Sequence, residues 1–137
     1  MRVFIDTNVM MDYLTKREPF WENASIVIDL CVRHEVIGII SALTVVNIAY
    51  LVRKIYSRDI VHERNLWMMN HFDISGIDCH IIKSVLASPY HDFEDMVQYH
   101  SALNAKADVI VTRNVKDFQN VMIDVCTPTE FVERCKQ

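Results

Sequence analysis

Residues that form turns are scarce in this sequence, which has only two glycines and three prolines among its 137 residues. An all-β sandwich or barrel needs a turn signal every few residues, so both architectures are disfavoured. No run of 18 or more apolar residues occurs, and Asp6 stands where a signal peptide would carry its apolar stretch. We therefore expect a cytoplasmic protein that does not engage a membrane.

The cysteines show no pattern of a disulfide framework or a zinc site. Cys31, Cys79, Cys126 and Cys135 are widely spaced and form no CxxC pair. An unpaired cysteine usually packs as a small hydrophobe, so we expect four buried free thiols.

Positive charge is also not in excess, since the formal net charge is −4. This argues against a broad basic surface that grips nucleic acid by releasing counterions. A nuclease is still compatible with the charge, because a carboxylate site is itself negative and its bound cation reverses the local sign.

The composition that is present is that of one folded domain. The apolar fraction is 51% and the charged fraction is 23%, as in globular proteins. The length lies in the usual range for a single domain, so we expect one domain over residues 1–137.

Short apolar runs alternate with segments of helical periodicity. The predicted strands are Arg2–Ile5, Val36–Ile40, Asp108–Val111 and Val121–Ile123, with Phe72–Ile74 as a weaker fifth. The predicted helices are Trp21–His34, Ser41–Tyr56, Asp59–Asn70, Asp78–Ala87, Phe93–Lys106 and Pro128–Cys135. We expect Ser41, Asp59, Asp78 and Thr127 to cap helices. The pattern predicts an α/β fold with three α/β/α layers and a mainly parallel central sheet of four to five strands.

Asp6 follows the first predicted strand directly, and Thr7 and Asn8 come next. Ligands of parallel α/β sheets bind at the carboxyl ends of the strands, so Asp6 is a candidate site residue. The alternative is that Asp6 only caps the following helix.

A second acidic segment opens the predicted helix 93–106 with Asp92, Glu94 and Asp95. Asp92 and Asp95 are three residues apart, so both side chains can point to one side. The alternative is that the helix dipole alone favours acids in this first turn. Three acids in four residues exceed what one cap requires.

A third polar segment follows the strand 108–111 and includes Asn114 and Asp117, although a simple turn or cap would also use such residues. The three segments are expected to meet at one sheet edge. Crowded carboxylates without a basic partner repel one another, and a divalent cation relieves this repulsion. Oxygen ligands favour Mg²⁺ or Mn²⁺, which can activate water for phosphodiester cleavage.

Two further side chains have open interpretations. His91 can act as a general acid or contact phosphate, or it can lie at the surface as a capping residue. Arg113 can hold an RNA phosphate, or it can be a solvated surface arginine.

Five segments in order make the chain resemble PIN-domain proteins, a family that includes the toxin ribonucleases of bacterial toxin–antitoxin pairs. They are IDTNVMMDYL at 5–14, SALTVVNIAYLVRK at 41–54, DFEDMVQYHSA at 92–102, ADVIVTRNVKDF at 107–118 and TPTEF at 127–131. The resemblance implies a PIN-like fold and a metal-dependent endoribonuclease that uses Mg²⁺ or Mn²⁺. It further implies an RNA substrate, a small protein antitoxin and a homodimer.

The resemblance also implies roles for individual residues. Asp6, Asp95 and Asp117 would be the catalytic acids and metal ligands, and the supporting residues would be Asn8, Asn47, Thr112 and Asn114. Family members usually carry Glu where the SxxTxxE spacing from Ser41 and Thr44 places Asn47. An amide is a neutral ligand and a poor base. We therefore hypothesise that Asp92 supplies the missing carboxylate as a further metal ligand.

Two alternatives to a toxin ribonuclease stay open, of which Asn47 favours the first. One is a degenerate, catalytically weak PIN domain that binds RNA or a protein. The other is a phosphatase or a flap-type DNA nuclease that uses the same acids.

Overall fold

Two helices follow each of the first three strands in the computed structural model, which describes all 137 residues. The strands are β1 Arg2–Ile5, β2 Ile37–Ser41, β3 Asp73–Ser75, β4 Val109–Val111 and β5 Asp124–Cys126. The helices are α1 Thr7–Leu14, α2 Trp21–Val32, α3 Ala42–Val52, α4 Arg58–His71, α5 Cys79–Leu86, α6 Phe93–Asn104 and α7 Pro128–Cys135. A short 3-10 helix spans Val115–Asp117.

The five strands form one sheet in the order β3-β2-β1-β4-β5, and all four pairings are parallel. The predicted α/β fold with a parallel central sheet is therefore confirmed. From β1 the chain moves outward to β3 and then returns to place β4 on the other side of β1. Such a reversal opens a crevice at the carboxyl ends of β1 and β4, where ligands of these folds bind.

Helices cover both faces of the sheet, which confirms the three layers. Along β1, Val3 and Ile5 join a large core with residues of α1, α2, α3, α4 and α7. Phe4 points the other way and packs with Tyr99 of α6. Strands buried on both faces have continuous apolar sequences, which is why β1, β2 and β4 were recognisable. No helix is both long enough and apolar enough to cross a membrane.

The last strand was predicted three residues too early. β5 is Asp124–Cys126, and Asp124 pairs with Val109. The apolar segment 121–123 lies in the preceding turn, where Val121 and Ile123 pack against the core around Phe4. A short apolar run can therefore cover a core without forming a strand.

Three of the four predicted caps are confirmed. The side chains of Ser41, Asp78 and Thr127 each accept a hydrogen bond from the backbone N–H three residues later. The prediction for Asp59 is wrong, because α4 begins at Arg58 and the hydroxyl of Ser57 accepts the capping bond. Asp59 lies instead in the first turn.

The four cysteines are free, but only Cys31 and Cys126 are buried. The prediction of four buried thiols is wrong for Cys79 and Cys135, which are exposed. They are the first residue of α5 and the last residue of α7, and both helix ends lie at the surface.

Three helix ends use a left-handed residue that is not glycine. Lys16, His34 and Lys106 follow the last turns of α1, α2 and α6 with φ of 51°, 58° and 57°. At the end of α1, the N–H of Lys16 bonds to the Tyr13 carbonyl, and the N–H of Arg17 bonds to that of Asp12. Two hydrogen bonds with the same spacing end α2, at His34 and Glu35, and α6, at Lys106 and Ala107.

Candidate active site

The site begins at Asp6, which is 3% exposed and lies one residue beyond β1. Its backbone N–H donates to the Val111 carbonyl over 3.0 Å and so continues the pairing of β1 with β4. The Oδ1 atom accepts the Thr7 N–H at 2.8 Å and caps α1. The predicted cap is therefore present, and it occupies one of the two carboxylate oxygens.

The other oxygen of Asp6 is held by side chains that the sequence already singled out. Oδ2 accepts the Thr112 hydroxyl at 2.7 Å and the Asn8 amide at 3.2 Å. The Asn8 carbonyl oxygen in turn accepts the Arg113 N–H at 3.2 Å. Asn114 reaches this group through its backbone, since its N–H donates to the Thr112 hydroxyl oxygen at 3.0 Å.

Gln98 on α6 links the elements beneath Asp6, although it is not among the residues predicted from the sequence. Its amide donates to Thr7 Oγ1 at 2.9 Å and Thr44 Oγ1 at 3.1 Å, and it lies 3.5 Å from Asp6 Oδ1. Its carbonyl oxygen accepts the Ser41 hydroxyl at 2.6 Å. A glutamine three residues after Asp95 on the same helix face was the available signal. We call the buried side chains of Asp6, Thr7, Ser41, Thr44, Gln98 and Thr112 the polar floor.

A cavity of about 340 Å³ lies against the polar floor. Its polar lining comprises Asp6, Thr7, Asn8, Arg17, Asn47, Glu94, Asp95, Arg113 and Asn114. The structure thus brings most of the predicted residues to one cavity. Thr112 is buried behind Asp6, and Asp92 and Asp117 are not part of the lining.

The acids outside the floor are held more loosely, and we call Asp92, Glu94 and Asp117 the acidic rim. Asp92 Oδ1 accepts the Asp95 N–H at 2.9 Å and caps α6. The Asn47 amide donates to Glu94 Oε1 at 3.4 Å. His91 is largely exposed, and its Nε2 lies 3.9 Å from Asp117 Oδ1.

Asp95 feels the negative charges of both the polar floor and the acidic rim. Burial raises its pKa to about 7, and the negative charges of Asp6 and the acidic rim add to this effect. The pKa of Asp6 is also raised, because the effect of burial outweighs the opposing effect of the hydrogen bonds from Thr112 and Thr7. The pKa of Glu94 is raised by burial and then by Asp6 and Asp92. No positively charged group lowers the pKa of Asp95, whereas Arg113 lowers that of Asp6.

These donors fit a hard divalent cation in charge and in chemistry, because carboxylate and amide oxygens line the cavity. Of the two arginines in the lining, Arg113 is already paired with Asp12. As the side chains stand, no group of three or more His, Cys, Asp or Glu residues converges closely enough to hold a metal ion. Rim side chains would have to turn inward to complete a ligand set.

Arg113 is only partly exposed, and it is paired with a buried acid. Its Nε donates to Asp12 Oδ2 at 2.6 Å, and its guanidinium carbon lies 4.1 Å from the centre of the Phe20 ring. Asp12 is 1% exposed, so Arg113 compensates a buried charge. The surface interpretation is wrong, and the phosphate contact stays a prediction. Arg17 is the other cation on the cavity wall, and it is not among the residues predicted from the sequence.

Comparisons with known proteins agree with this architecture. A family model described as PIN domain matches residues 2–116, whereas no curated protein matches the chain. Among solved structures, a toxin–antitoxin complex from Klebsiella pneumoniae aligns with a TM-score of 0.69 at 22% identity, covering 92% of this chain and 97% of that chain. FitAcB from Neisseria gonorrhoeae gives 0.69 at 19% identity, with 93% and 98% covered. The Sarcin-Ricin loop cleaving toxin VapC20 of Mycobacterium tuberculosis gives 0.61 at 10%, with 79% and 86% covered. At such identities these likenesses show the fold.

Proposed function

This chain belongs to the PIN domain family, and from that premise we propose that it is a metal-dependent endoribonuclease and the toxin of a toxin–antitoxin pair. The observation that supports this most is the meeting of Asp6 and Asp95 in one cavity at the carboxyl ends of β1 and β4. The toxin descriptions of VapC20 and of the Klebsiella complex give further support.

In this proposal Asp6, Asp95 and Asp117 hold Mg²⁺ or Mn²⁺, and a further carboxylate comes from the start of α6, where Asp92 is the sequence-based candidate. When bound, the ion supplies an activated water and stabilises the leaving oxygen of the phosphodiester. The chain supplies a fixed position for Asp6, because Thr112 donates to one of its oxygens and the Thr7 N–H to the other.

The RNA backbone would enter over Arg17, an exposed cation on the cavity wall. Asn114 stands on the same wall, and its side-chain amide can donate to phosphate oxygens. The Asn8 amide already donates to Asp6 and Thr112 and so positions these two residues. Asn47 stands near the carboxylate of Glu94 and can orient it.

A protein partner is part of the same proposal. Four large apolar side chains on α3 and just beyond its end are more than half exposed: Val46, Tyr50, Leu51 and Ile55. Exposed apolar groups of this kind mark interaction surfaces, which supports an antitoxin or a second copy of the chain. A single domain over residues 1–137 and a cytoplasmic location complete the proposal.

Cleavage of an unstructured RNA tests the proposed activity. We expect Mg²⁺ or Mn²⁺ to support cleavage, EDTA to stop it, and Asp6→Asn to reduce the rate by about 100-fold or more. Asp59→Asn on the exposed start of α4 is the matched control and should cleave normally. Cleavage that persists in EDTA or in the Asp6 variant would reject the proposal.

Asn47 specifically favours a second candidate, a degenerate PIN domain that binds RNA without cutting it. In that case the protein retains RNA in a gel-shift assay with Mn²⁺ present, and no product accumulates. Parallel assays on single-stranded DNA, branched DNA and a phosphomonoester separate the ribonuclease from a flap-type nuclease or a phosphatase.

A further inference from the structure

Asn47 and Glu94 form a pair across the cavity from two different helices. Asn47 lies on α3 and Glu94 in the first turn of α6, and the Asn47 amide donates to Glu94 Oε1 at 3.4 Å. Both side chains line the cavity that contains Asp6 and Asp95. A carboxylate is therefore present beside the α3 position at which the family pattern has Glu, although it comes from another helix.

We propose that Glu94 supplies the cavity carboxylate that Asn47 lacks, and that it serves as a ligand of the divalent cation together with Asp6 and Asp95. This inference rests on the proposed function. It assigns to Glu94 the role that the sequence suggested for Asp92.

The contacts of Asp92 favour Glu94 as the metal ligand. One oxygen of Asp92 accepts the Asp95 N–H at 2.9 Å and caps the start of α6, and the side chain does not line the cavity. Glu94 has no such backbone bond, and its side chain is one methylene longer. It can therefore move toward an ion without uncapping the helix.

The chemistry of the pair also explains why residue 47 is an amide. A carboxylate has no proton to donate when it is ionised, so Glu at both 47 and 94 would place two negative charges side by side. Asn47 donates to Glu94 and holds its carboxylate at the cavity wall. The identities of the two residues are thus linked, and exchanging both should preserve the site while changing one should not.

Mn²⁺ binding to the full chain tests the assignment without relying on activity. Isothermal titration calorimetry should show that Glu94→Gln weakens Mn²⁺ binding by about tenfold or more. The exchange N47E/E94Q should bring the affinity back to within about threefold of the native value. Glu63→Gln on the exposed face of α4 is the control for the loss of one charge, and circular dichroism checks that every variant is folded.

Two results would overturn the inference: native Mn²⁺ affinity in Glu94→Gln, or a loss in Asp92→Asn that equals the loss in Glu94→Gln with no recovery in the exchanged pair. Asp6→Asn separates this failure from that of the proposed function. If Asp6→Asn abolishes binding while Glu94→Gln does not, only the role of Glu94 is rejected. If neither variant weakens binding, the metal site itself is rejected.

Discussion

The polar floor and the acidic rim lie on two sides of the same cavity, but they are built differently. In the floor, buried hydroxyls, an amide and the Asp6 carboxylate bond to one another over 2.6 to 3.5 Å. In the rim, Glu94 and Asp117 have only a 3.4 Å contact to Asn47 and a 3.9 Å contact to His91. The floor is therefore fixed by folding, and the rim can still rearrange.

This difference follows from solvent access. A polar atom without a partner is costly when it is buried, so the floor needs every bond that it makes. Rim acids can bond to water instead. We therefore expect floor substitutions to change the free energy of unfolding and rim substitutions to change mainly the affinity for a cation.

The largest effect should come from Gln98→Leu in the floor. The change keeps a side chain of similar size but leaves Ser41, Thr7 and Thr44 without their shared partner. We expect the free energy of unfolding to fall by roughly 2–4 kcal/mol in urea titrations. Gln119→Leu, at an exposed position, should change it by less than about 0.5 kcal/mol. Equal effects at both positions would show that the hydrogen bonds of the floor do not stabilise the fold.

A smaller effect should appear in the pH dependence of stability, through Asp95. Its pKa is raised to about 7 in the folded protein, against about 3.9 in an unfolded chain. The folded state therefore holds this proton more tightly, and the resulting stability is present below pH ~4 and lost as the pH rises through about 7.

Asp95→Asn should remove this dependence. Without divalent cations, we expect the variant to gain on the order of 1 kcal/mol relative to the native protein between pH 4.5 and 7.5. Urea titrations in EDTA across that range give the comparison, with Asp59→Asn as the control. If the native and Asp95→Asn curves run parallel, Asp95 does not carry a raised pKa.

An effect of similar size is expected at Asp92, the one rim acid with a backbone role. Asp92→Ala removes the cap of α6 and should lower the free energy of unfolding by about 1 kcal/mol, whereas Asn caps as well as Asp. Thermal unfolding of Asp92→Ala and Asp92→Asn tests this. A large loss in the Asn variant would indicate that the charge of Asp92, not its cap, stabilises the protein.

The sequence was sufficient for features that depend on neighbouring residues. The β1 segment and the Asp6 cap follow from an apolar run that ends in an acid, and both are present. The turn at 121–123 was mistaken for a strand because packing against Phe4 and pairing with β4 require the same apolar residues.

Features formed by distant residues could not be predicted in this way. Gln98 bonds to Ser41 across 57 positions, and Arg113 bonds to Asp12 across 101. The choice between Asp92 and Glu94 depends on where α3 lies relative to α6, which local spacing does not specify. The acid cluster was predicted, but its division into a floor and a rim required the fold.

The left-handed residues at three helix ends have a practical consequence for such experiments. Glycine adopts this backbone conformation without the steric penalty of a β-carbon. Replacing Lys16, His34 or Lys106 by glycine should therefore raise the free energy of unfolding by roughly 1 kcal/mol each. The triple variant would be a more stable background, in which destabilising substitutions in the polar floor could be studied in the folded state.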